Sequence, residues 1–303
     1  SGISVDVSEI SAGGLHTCAL LDSGGVKCWG LNESGQIGDG TDTLRSMPVD
    51  VHLADPVTMI TAGRDHTCAM SASNEIKCWG KNDYGQLGDG TTETRFEPVS
   101  LEGLLDTATT IVSHSDHSCV LNDTGGVKCW GSNSFGQLGD EYISYSTSPM
   151  AIEGLTEDIT TVSPGGNHTC AITSTGGVVC LGDNGGSQLG NEAAGNYSIT
   201  PVSVEDLSDV NALSAGYYHT CALTNMGGVK CWGTNITGQL GNDQRDNSYT
   251  PVDVVGLAEG VAAISAGYEH TCALLSSGVV KCWGNNGNGQ LGWGNPDHSP
   301  VPV

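Results

Sequence analysis

The sequence predicts an all-β chain, a six-bladed β-propeller of four-stranded blades, and three observations carry that reading. A unit of about 50 residues recurs six times, with successive first cysteines 50, 51, 51, 51 and 51 residues apart. Each unit holds four short apolar runs bounded by Gly, Asn or Asp, the pattern of strands rather than helices. The twelve cysteines fall into six pairs of identical spacing, one pair per unit.

The elements follow in order within one unit. Ile10-Ser-Ala-Gly13 is the first strand, and a two-residue turn leads to His16-Thr-Cys18-Ala-Leu20. A Gly-containing turn leads to Val26-Lys-Cys28-Trp29-Gly30. Asn32 and Gly35-Gln36-Ile37-Gly38 then form a loop, and Pro48-Val49-Asp50-Val51 is the fourth strand. Four strands in this length make one propeller blade. The chain reads as a single domain, 1–303, with repeats near 8–51, 58–101, 109–152, 160–204, 211–254 and 262–303. Residues 1–7 read as an extra closing or surplus strand. The Pro-Val-x-Val strand has seven copies for six hairpins, at Ser4–Val7, Pro48–Val51, Pro98–Leu101, Pro149–Ile152, Pro201–Val204, Pro251–Val254 and Pro300–Val303. A closed ring needs six, so one terminal copy is spare: Pro300–Val303 completes the blade formed by Ile264–Trp283, or Ser4–Val7 does.

The expected pairs are Cys18 with Cys28, Cys68 with Cys78, Cys119 with Cys129, Cys170 with Cys180, Cys221 with Cys231, and Cys272 with Cys282. An even count at fixed spacing is the signature of disulfides and of an oxidising compartment. The competing reading is metal binding, because a His precedes each first Cys by two residues; the spacing within each pair is long for zinc. If Cys18 faces Cys28, then Leu20 faces Val26, Thr17 faces Trp29, and His16 faces Gly30, which leaves space for an imidazole. Alternation puts His16, Cys18 and Leu20 on one face. Closing so short a loop contributes roughly 2–3 kcal/mol in the chain-entropy model.

Composition excludes several functions. With 34 acidic and 10 basic residues the formal charge is −24, the wrong sign for nucleic acid or an anionic membrane surface. No run of about 18 apolar residues is present to span a bilayer. Ser1 begins no charged-then-apolar leader, so a signal peptide is expected to be absent or already removed. No nucleophile elbow, phosphate loop or spaced carboxylate pair occurs, so neither an enzyme nor a cofactor is expected.

The combined motif, Ala-Gly-x-x-His-Thr followed by Trp-Gly-x-Asn-x-x-Gly-Gln-Leu-Gly, resembles the regulator of chromosome condensation repeat, a β-propeller family, across the whole chain. The departures are Leu181 for the Trp of the fourth unit, Ser187 for its first Gly in Gly-Gln-Leu-Gly, and His114 for the Gly of the third unit. The cysteine pairs depart from nuclear and cytosolic members and match secreted relatives. Nucleotide-exchange members dock on a nuclear GTPase and chromatin, which charge and disulfides oppose. The plant ultraviolet photoreceptor uses a Gly-Trp-Arg-His-Thr cluster that this sequence lacks, so its tryptophans read as blade packing. Ubiquitin-ligase members attach a separate catalytic domain, which is not in this sequence. The secreted members that inhibit β-lactamases imply instead a binding face built from the variable pair in Gly-x-x-His.

Those pairs are Gly14-Leu15, Arg64-Asp65, Ser115-Asp116, Gly166-Asn167, Tyr217-Tyr218 and Tyr268-Glu269. Residues common to all units serve the blade, whereas residues that differ are available for recognition. The turns are expected on one end of the propeller. Tyr217, Tyr218, Tyr268, Glu269, Arg64, Asp65, Asp116 and Asn167 are the candidate contacts, since Tyr and Arg dominate binding hot spots; the alternative is an ordinary solvated loop. The six repeated histidines read as structural, and no metal site is expected. His114, Asp116 and His117 are a weaker local metal set. Asp39-Gly40 and Asp89-Gly90 read as turns rather than calcium loops. Asn-x-Ser/Thr sequons lie at Asn32, Asn122, Asn167, Asn196 and Asn235. The expected function is a secreted, non-catalytic module that binds another extracellular protein or copies of itself. The alternative is a building block of an extracellular or cell-surface assembly.

Overall fold

Turns every five to seven residues cut the chain into runs too short for helix, and neighbouring runs pair locally. The structure, a computed structural model, describes residues 6–104 and 107–303. The first blade is Val7–Ala12 (β1), His16–Leu21 (β2), Val26–Gly30 (β3) and Arg45–Val51 (β4). The second is Val57–Ala62, His66–Ser71, Ile76–Gly80 and Arg95–Ser100 (β5–β8). The third is Ala108–His114, His117–Asn122, Val127–Ser132 and Tyr145–Ala151 (β9–β12). The fourth is Ile159–Pro164, His168–Thr173, Val178–Asp183 and Tyr197–Ser203 (β13–β16). The fifth is Val210–Ala215, His219–Thr224, Val229–Gly233 and Ser248–Asp253 (β17–β20), and the sixth begins Val261–Ala266, His270–Leu275 and Val280–Gly284 (β21–β23). Each sheet is an antiparallel meander in chain order. The only helix among the described residues is one 3₁₀ turn, Glu192–Ala194. The chain is thus the six-bladed β-propeller expected, with one disulfide per blade. Its contacts divide it into two compact units, Ser1–Ser134 with Tyr142–Glu157, and Phe135–Glu141 with Asp158–Val303.

The hairpin register is the one the cysteines imply. In the first blade Cys18 pairs with Cys28, Leu20 with Val26, Thr17 with Trp29 and His16 with Gly30. The other five blades repeat the set: Cys68 stands opposite Cys78, Cys119 opposite Cys129, Cys170 opposite Cys180, Cys221 opposite Cys231, and Cys272 opposite Cys282. All six of these pairs are disulfides, with Cα–Cα separations of 4.0–4.1 Å, so every cysteine is bonded within its own hairpin as expected. One expectation needs correction. The imidazole is accommodated by Gly13, where a side chain would collide with the His16 ring, and not by Gly30. Gly30 is required because its φ is +111° and a Cβ would lie 2.5 Å from the Leu15 carbonyl oxygen.

The sixth blade is closed by the C-terminal segment. Cys282 and Val303 exchange backbone bonds of 3.1 and 2.9 Å, and Gly284 and Ser299 exchange bonds of 2.7 and 3.0 Å. In the fifth blade the same partners are Cys231 with Val252 and Gly233 with Ser248. Pro302-Val303 therefore takes the place of Pro251-Val252, and the expected copy at Pro300–Val303 is out of register by two. Two Pro-Val steps in succession make the sequence ambiguous. Ser299 sets the register: its hydroxyl donates to Val301 O at 2.7 Å, as Ser248 does to Thr250 O. At the other end, most of Ser4–Val7 lies outside the described residues. Val7 pairs with Leu21 as the start of β1, so it is not part of a surplus outer strand.

The core is a series of layers between blades. Cys18, Leu20, Val26 and Cys28 of the first blade pack against Val57, Ile60, Ala69 and Trp79 of the second. Equivalent layers join the second blade to the third, the fourth to the fifth and the fifth to the sixth. The disulfides line these layers: Cys78, Cys129 and Cys180 are fully buried, as are their partners Cys68, Cys119 and Cys170. At the centre of each layer is one backbone carbonyl. Gln36 O accepts the Thr67 hydroxyl at 2.9 Å and the Trp79 indole N–H at 3.0 Å. Gln86 O holds Ser118 and Trp130, Gln188 O holds Thr220 and Trp232, and Gln239 O holds Thr271 and Trp283. Because Thr67 donates to Gln36, its oxygen is left to accept from His16 Nε2, 2.8 Å away. The same His-to-hydroxyl bond occurs for His66, His168 and His219. In the fourth blade Leu181 fills the Trp position, fully buried, while Thr169 still donates to Gln137 O at 2.9 Å.

Trp79 is fully buried in its layer whereas Trp29 is only half-buried. Trp79→Ala should therefore cost about 3–5 kcal/mol of unfolding free energy, and Trp29→Ala clearly less. Urea denaturation of the two variants checks the order; equal losses would contradict the layered core.

Burial holds the ladder histidines neutral. His16 is lowered from 6.5 to about 4, and His66 and His117 to about 3, with His114 adding repulsion in the latter two. A folded pKa below the unfolded one means that the unfolded chain takes up protons first. This contribution is intact above about pH 6.5 and is lost as pH falls towards 3–4. In NMR titration these three imidazoles should remain neutral at pH 5, and in high salt the melting temperature should fall between pH 7 and 4. An imidazole of this set titrating near 6.5 would contradict the assignment.

Candidate binding surface

The variable pairs sit at the tips of two-residue hairpin turns, closed in every blade but the third by a Gly N–H to His C=O bond, such as Gly13 to His16 at 2.9 Å; in the third, His114 stands in the glycine's place and pairs with His117. Neighbouring tips are stitched through the backbone. In the first unit Gly14 N–H donates to Arg64 O at 3.0 Å, and Arg64 N–H to Ser115 O at 2.9 Å. In the second, Gly166 N–H donates to Gly216 O at 3.0 Å, and Tyr217 N–H to Tyr268 O at 3.3 Å. The blade layers thereby fix the distance between side chains that the fold itself does not need.

The second unit brings the tyrosines together. The Tyr217 ring stacks on Tyr268 with centroids 4.1 Å apart, and Tyr218 meets Tyr217 edge-on at 4.4 Å. A side chain on Gly166 would collide with Tyr217, so glycine there makes room for the cluster. Tyr268 is exposed; Tyr217, Tyr218, Glu269 and Asn167 are half-buried. Burial first, then Tyr217, Asp183 and Glu269, raise the Tyr218 pKa above that of an ordinary phenol. Glu269 is fixed by Asn285, whose side-chain amide donates to it at 2.6 Å. Three rings edged by two carboxylates form a surface suited to an apolar contact with a cationic neighbour, since aromatic faces also attract cations.

The first unit gathers Arg64, Asp65 and Asp116 with Lys81 and Asp83. Arg64 lies 3.5 Å from Asp65, and Lys81 lies 3.5 Å from Asp83. Burial, helped by Asp65 and Asp83, raises the Asp116 pKa against the pull of Lys81 and Arg64. Leu15 is exposed beside this group, on the tip stitched to Arg64.

Sequence comparison overlooked a third variable position. Leu31, Lys81, Ser132, Asp183, Thr234 and Asn285 each follow Trp-Gly or Leu-Gly and differ from unit to unit. In all six blades this residue donates its N–H to the carbonyl of the second tip residue, as Asp183 does to Asn167 at 2.9 Å. The same unit-by-unit comparison that found the pairs would have found it. The local set of His114, Asp116 and His117 does not assemble as ligands: among the described residues no three His, Cys, Asp or Glu side chains converge on a metal position. Asp39 is committed to Thr41 and to Arg45, whose Nε lies 2.6 Å away, as Asp89 is to Thr91 and Arg95. Of the sequon asparagines, Asn32 and Asn235 are buried inside their loops, while Asn196 is exposed.

A repeat scaffold with fixed layer residues and three variable residues at one corner of every blade supports a protein-binding module. The chain belongs to the RCC1-like domain family, whose model matches residues 2–303. It is 37% identical over 305 residues to the probable E3 ubiquitin-protein ligase HERC4 of Rattus norvegicus, covering 98% of this chain and 29% of that protein. It is 29% identical to the ultraviolet-B receptor UVR8 of Arabidopsis thaliana, over 96% of this chain and 56% of the receptor. The chain thus spans only part of these relatives. Yeast RCC1 (Prp20), solved bound to Kap60, superposes with a TM-score of 0.89 at 20% identity, over 98% of this chain and 74% of that one. Human WBSCR16 also gives 0.89, at 22% identity, over 99% and 82%. These two likenesses are of fold.

Proposed function

We propose that this chain is a secreted, non-catalytic binding module that grips another extracellular protein through the variable blade corners, with the tyrosine cluster of the second unit as the main contact. The observation that carries this reading is the stack of Tyr217 and Tyr268 with Tyr218 against its edge. Packing fixes these rings, so little conformational freedom is lost on binding. Asp183 and Glu269 beside them favour a partner surface that presents Lys or Arg next to an apolar patch. Six disulfides support a location where thiols stay oxidised. A charge of −24 directs the module away from nucleic acid and anionic lipid. The site residues supply contacts and no reacting groups, which is the ground for a binding role without catalysis.

The test uses the wild-type chain as bait in the source organism's extracellular fraction, followed by titration of the captured protein. Changing Tyr217, Tyr218 and Tyr268 together to Ala should leave the melting temperature nearly unchanged. Loss of one buried aromatic anchor costs about 2 kcal/mol, roughly 30-fold in affinity, so the triple variant should lose at least that much. Unchanged affinity in the folded variant would overturn the site, and loss of folding would make the tyrosines packing residues.

A further inference from the structure

The tyrosine corner of the second unit carries two carboxylates and no cation to answer them. Asp183 is buried, with Oδ1 accepting the Gly185 N–H at 2.9 Å, and Glu269 is half-buried. Among the described residues neither carboxylate has a Lys, Arg or His within ion-pair distance. Lys230 is engaged with Asp253, 2.7 Å away, and Arg245 donates to Ile236 O at 3.2 Å. The first unit answers its own acidic corner. Arg64, which holds in its tip the place of Tyr217 and Tyr268, lies 3.5 Å from Asp65, and Lys81 lies 3.5 Å from Asp83. Glu269 is set in advance. Asn285 Oδ1 accepts from Gly287 N at 2.7 Å and from Gln290 Nε2 at 3.3 Å, which turns Asn285 Nδ2 towards Glu269 Oε2, 2.6 Å away. Lone pairs remain on both oxygens of that carboxylate. The rings are set as well. Tyr217 and Tyr268 touch, with centroids 4.1 Å apart, so no cation fits between them. Tyr268, 51% exposed, presents the outer face of the stack.

Resting on the binding surface proposed above, we infer that this corner takes an arginine side chain of the partner, its guanidinium flat on the outer face of Tyr268 and its N–H groups donating to Glu269. The two halves of the contact are the two residues of one turn tip, so the hairpin holds them side by side. A guanidinium is planar, weakly hydrated and stacks on aromatic faces, whereas an ammonium is a strongly hydrated point charge. Its fork of donors also matches the two oxygens of a carboxylate. Lysine can answer the charge but cannot both stack and bridge. Asp183 and Glu269 both raise the Tyr218 phenol pKa, so the field of the second carboxylate reaches the same cluster. The partner's arginine then supplies in the second unit the guanidinium that Arg64 supplies in the first.

The probes are the peptide acetyl-Gly-Arg-Gly-amide and its lysine and citrulline counterparts, titrated into the whole chain. Binding is followed by NMR at the Tyr268 ring and the Asn285 side-chain amide. The arginine peptide should bind about threefold more tightly than the lysine peptide, and the neutral citrulline peptide should not bind. Binding of both cations should weaken as salt rises. Glu269→Gln keeps the bond from Asn285 and removes the charge, so it should bring arginine down towards citrulline. Tyr268→Leu keeps apolar area at an exposed position and removes the ring, so the preference for arginine over lysine should vanish. Tyr268→Phe should restore it. Equal binding of arginine and lysine, citrulline binding like arginine, or no binding of any peptide would overturn the proposal. The captured partner separates this claim from the surface it rests on. A partner lost with the three tyrosines but indifferent to Glu269→Gln overturns the arginine and leaves the surface. Arginine-peptide binding beside a partner indifferent to the tyrosines overturns the surface and leaves a site for arginine.

Discussion

One backbone carbonyl per blade, that of the Gln in Gly-Gln-Leu-Gly, organises the layers on which the structure depends. In the first five blades it accepts a hydroxyl, and in four of these also an indole N–H, from the following blade, in a site shielded from water. An unmet carbonyl there would carry its full desolvation cost, so the acceptor and its two donors constrain one another. The repeated loop exists to aim this group. Asn32 Oδ1 accepts from Ile37 N at 2.9 Å, and Gln36 Oε1 accepts from Ser34 N at 2.9 Å, so two side chains brace the loop from inside. The same pair of bonds recurs at Asn235 and Gln239. The buried, neutral histidine follows from the same geometry, since it completes the coordination of the hydroxyl that the carbonyl holds.

This arrangement separates two kinds of residue. Gln, Thr, Trp, His and Cys have partners inside a layer, and changing one disturbs two blades. The three residues at each corner meet the fold mainly through their backbone N–H and C=O groups; Gly14 and Gly166, where a side chain would strike the next tip, are the exceptions. Tyr217, Lys81 and Asp183 can therefore differ from their counterparts in other blades without cost to the layers. The disulfides add to this independence, because each is confined to one hairpin, as Cys68 to Cys78 and Cys119 to Cys129 are, and links no blade to another.

The fold was legible because its signals are local and repeated. The cysteine spacing set the hairpin register residue by residue, even in the fourth blade, where Cys170 still meets Cys180 although Leu181 replaces the tryptophan. Six copies of the strand pattern left little room for another topology. Errors came where one copy departs from the rest or where a contact is long-range. Pro300-Val301-Pro302-Val303 offers two registers, and a serine hydroxyl chooses between them. The packing of the His16 ring against Gly13 depends on χ angles that no residue pattern specifies. Asp183 and Lys81 were hidden because they follow the conspicuous Trp-Gly or Leu-Gly steps, although both vary as freely as the hairpin tips. The meeting of Tyr217 with Tyr268 across two blades depends on a stitched backbone contact between residues 51 apart in sequence.

The carbonyl-centred layer is tested most directly by hydrogen exchange at the indole N–H groups, followed by NMR in dilute solution. The indoles of Trp79, Trp130, Trp232 and Trp283 are buried and bonded, whereas Trp29 is half-buried and Trp293 exposed. Four slow and two fast signals are the expected result. Rapid exchange at any of the four bonded indoles, in a chain that otherwise remains folded, would contradict the account.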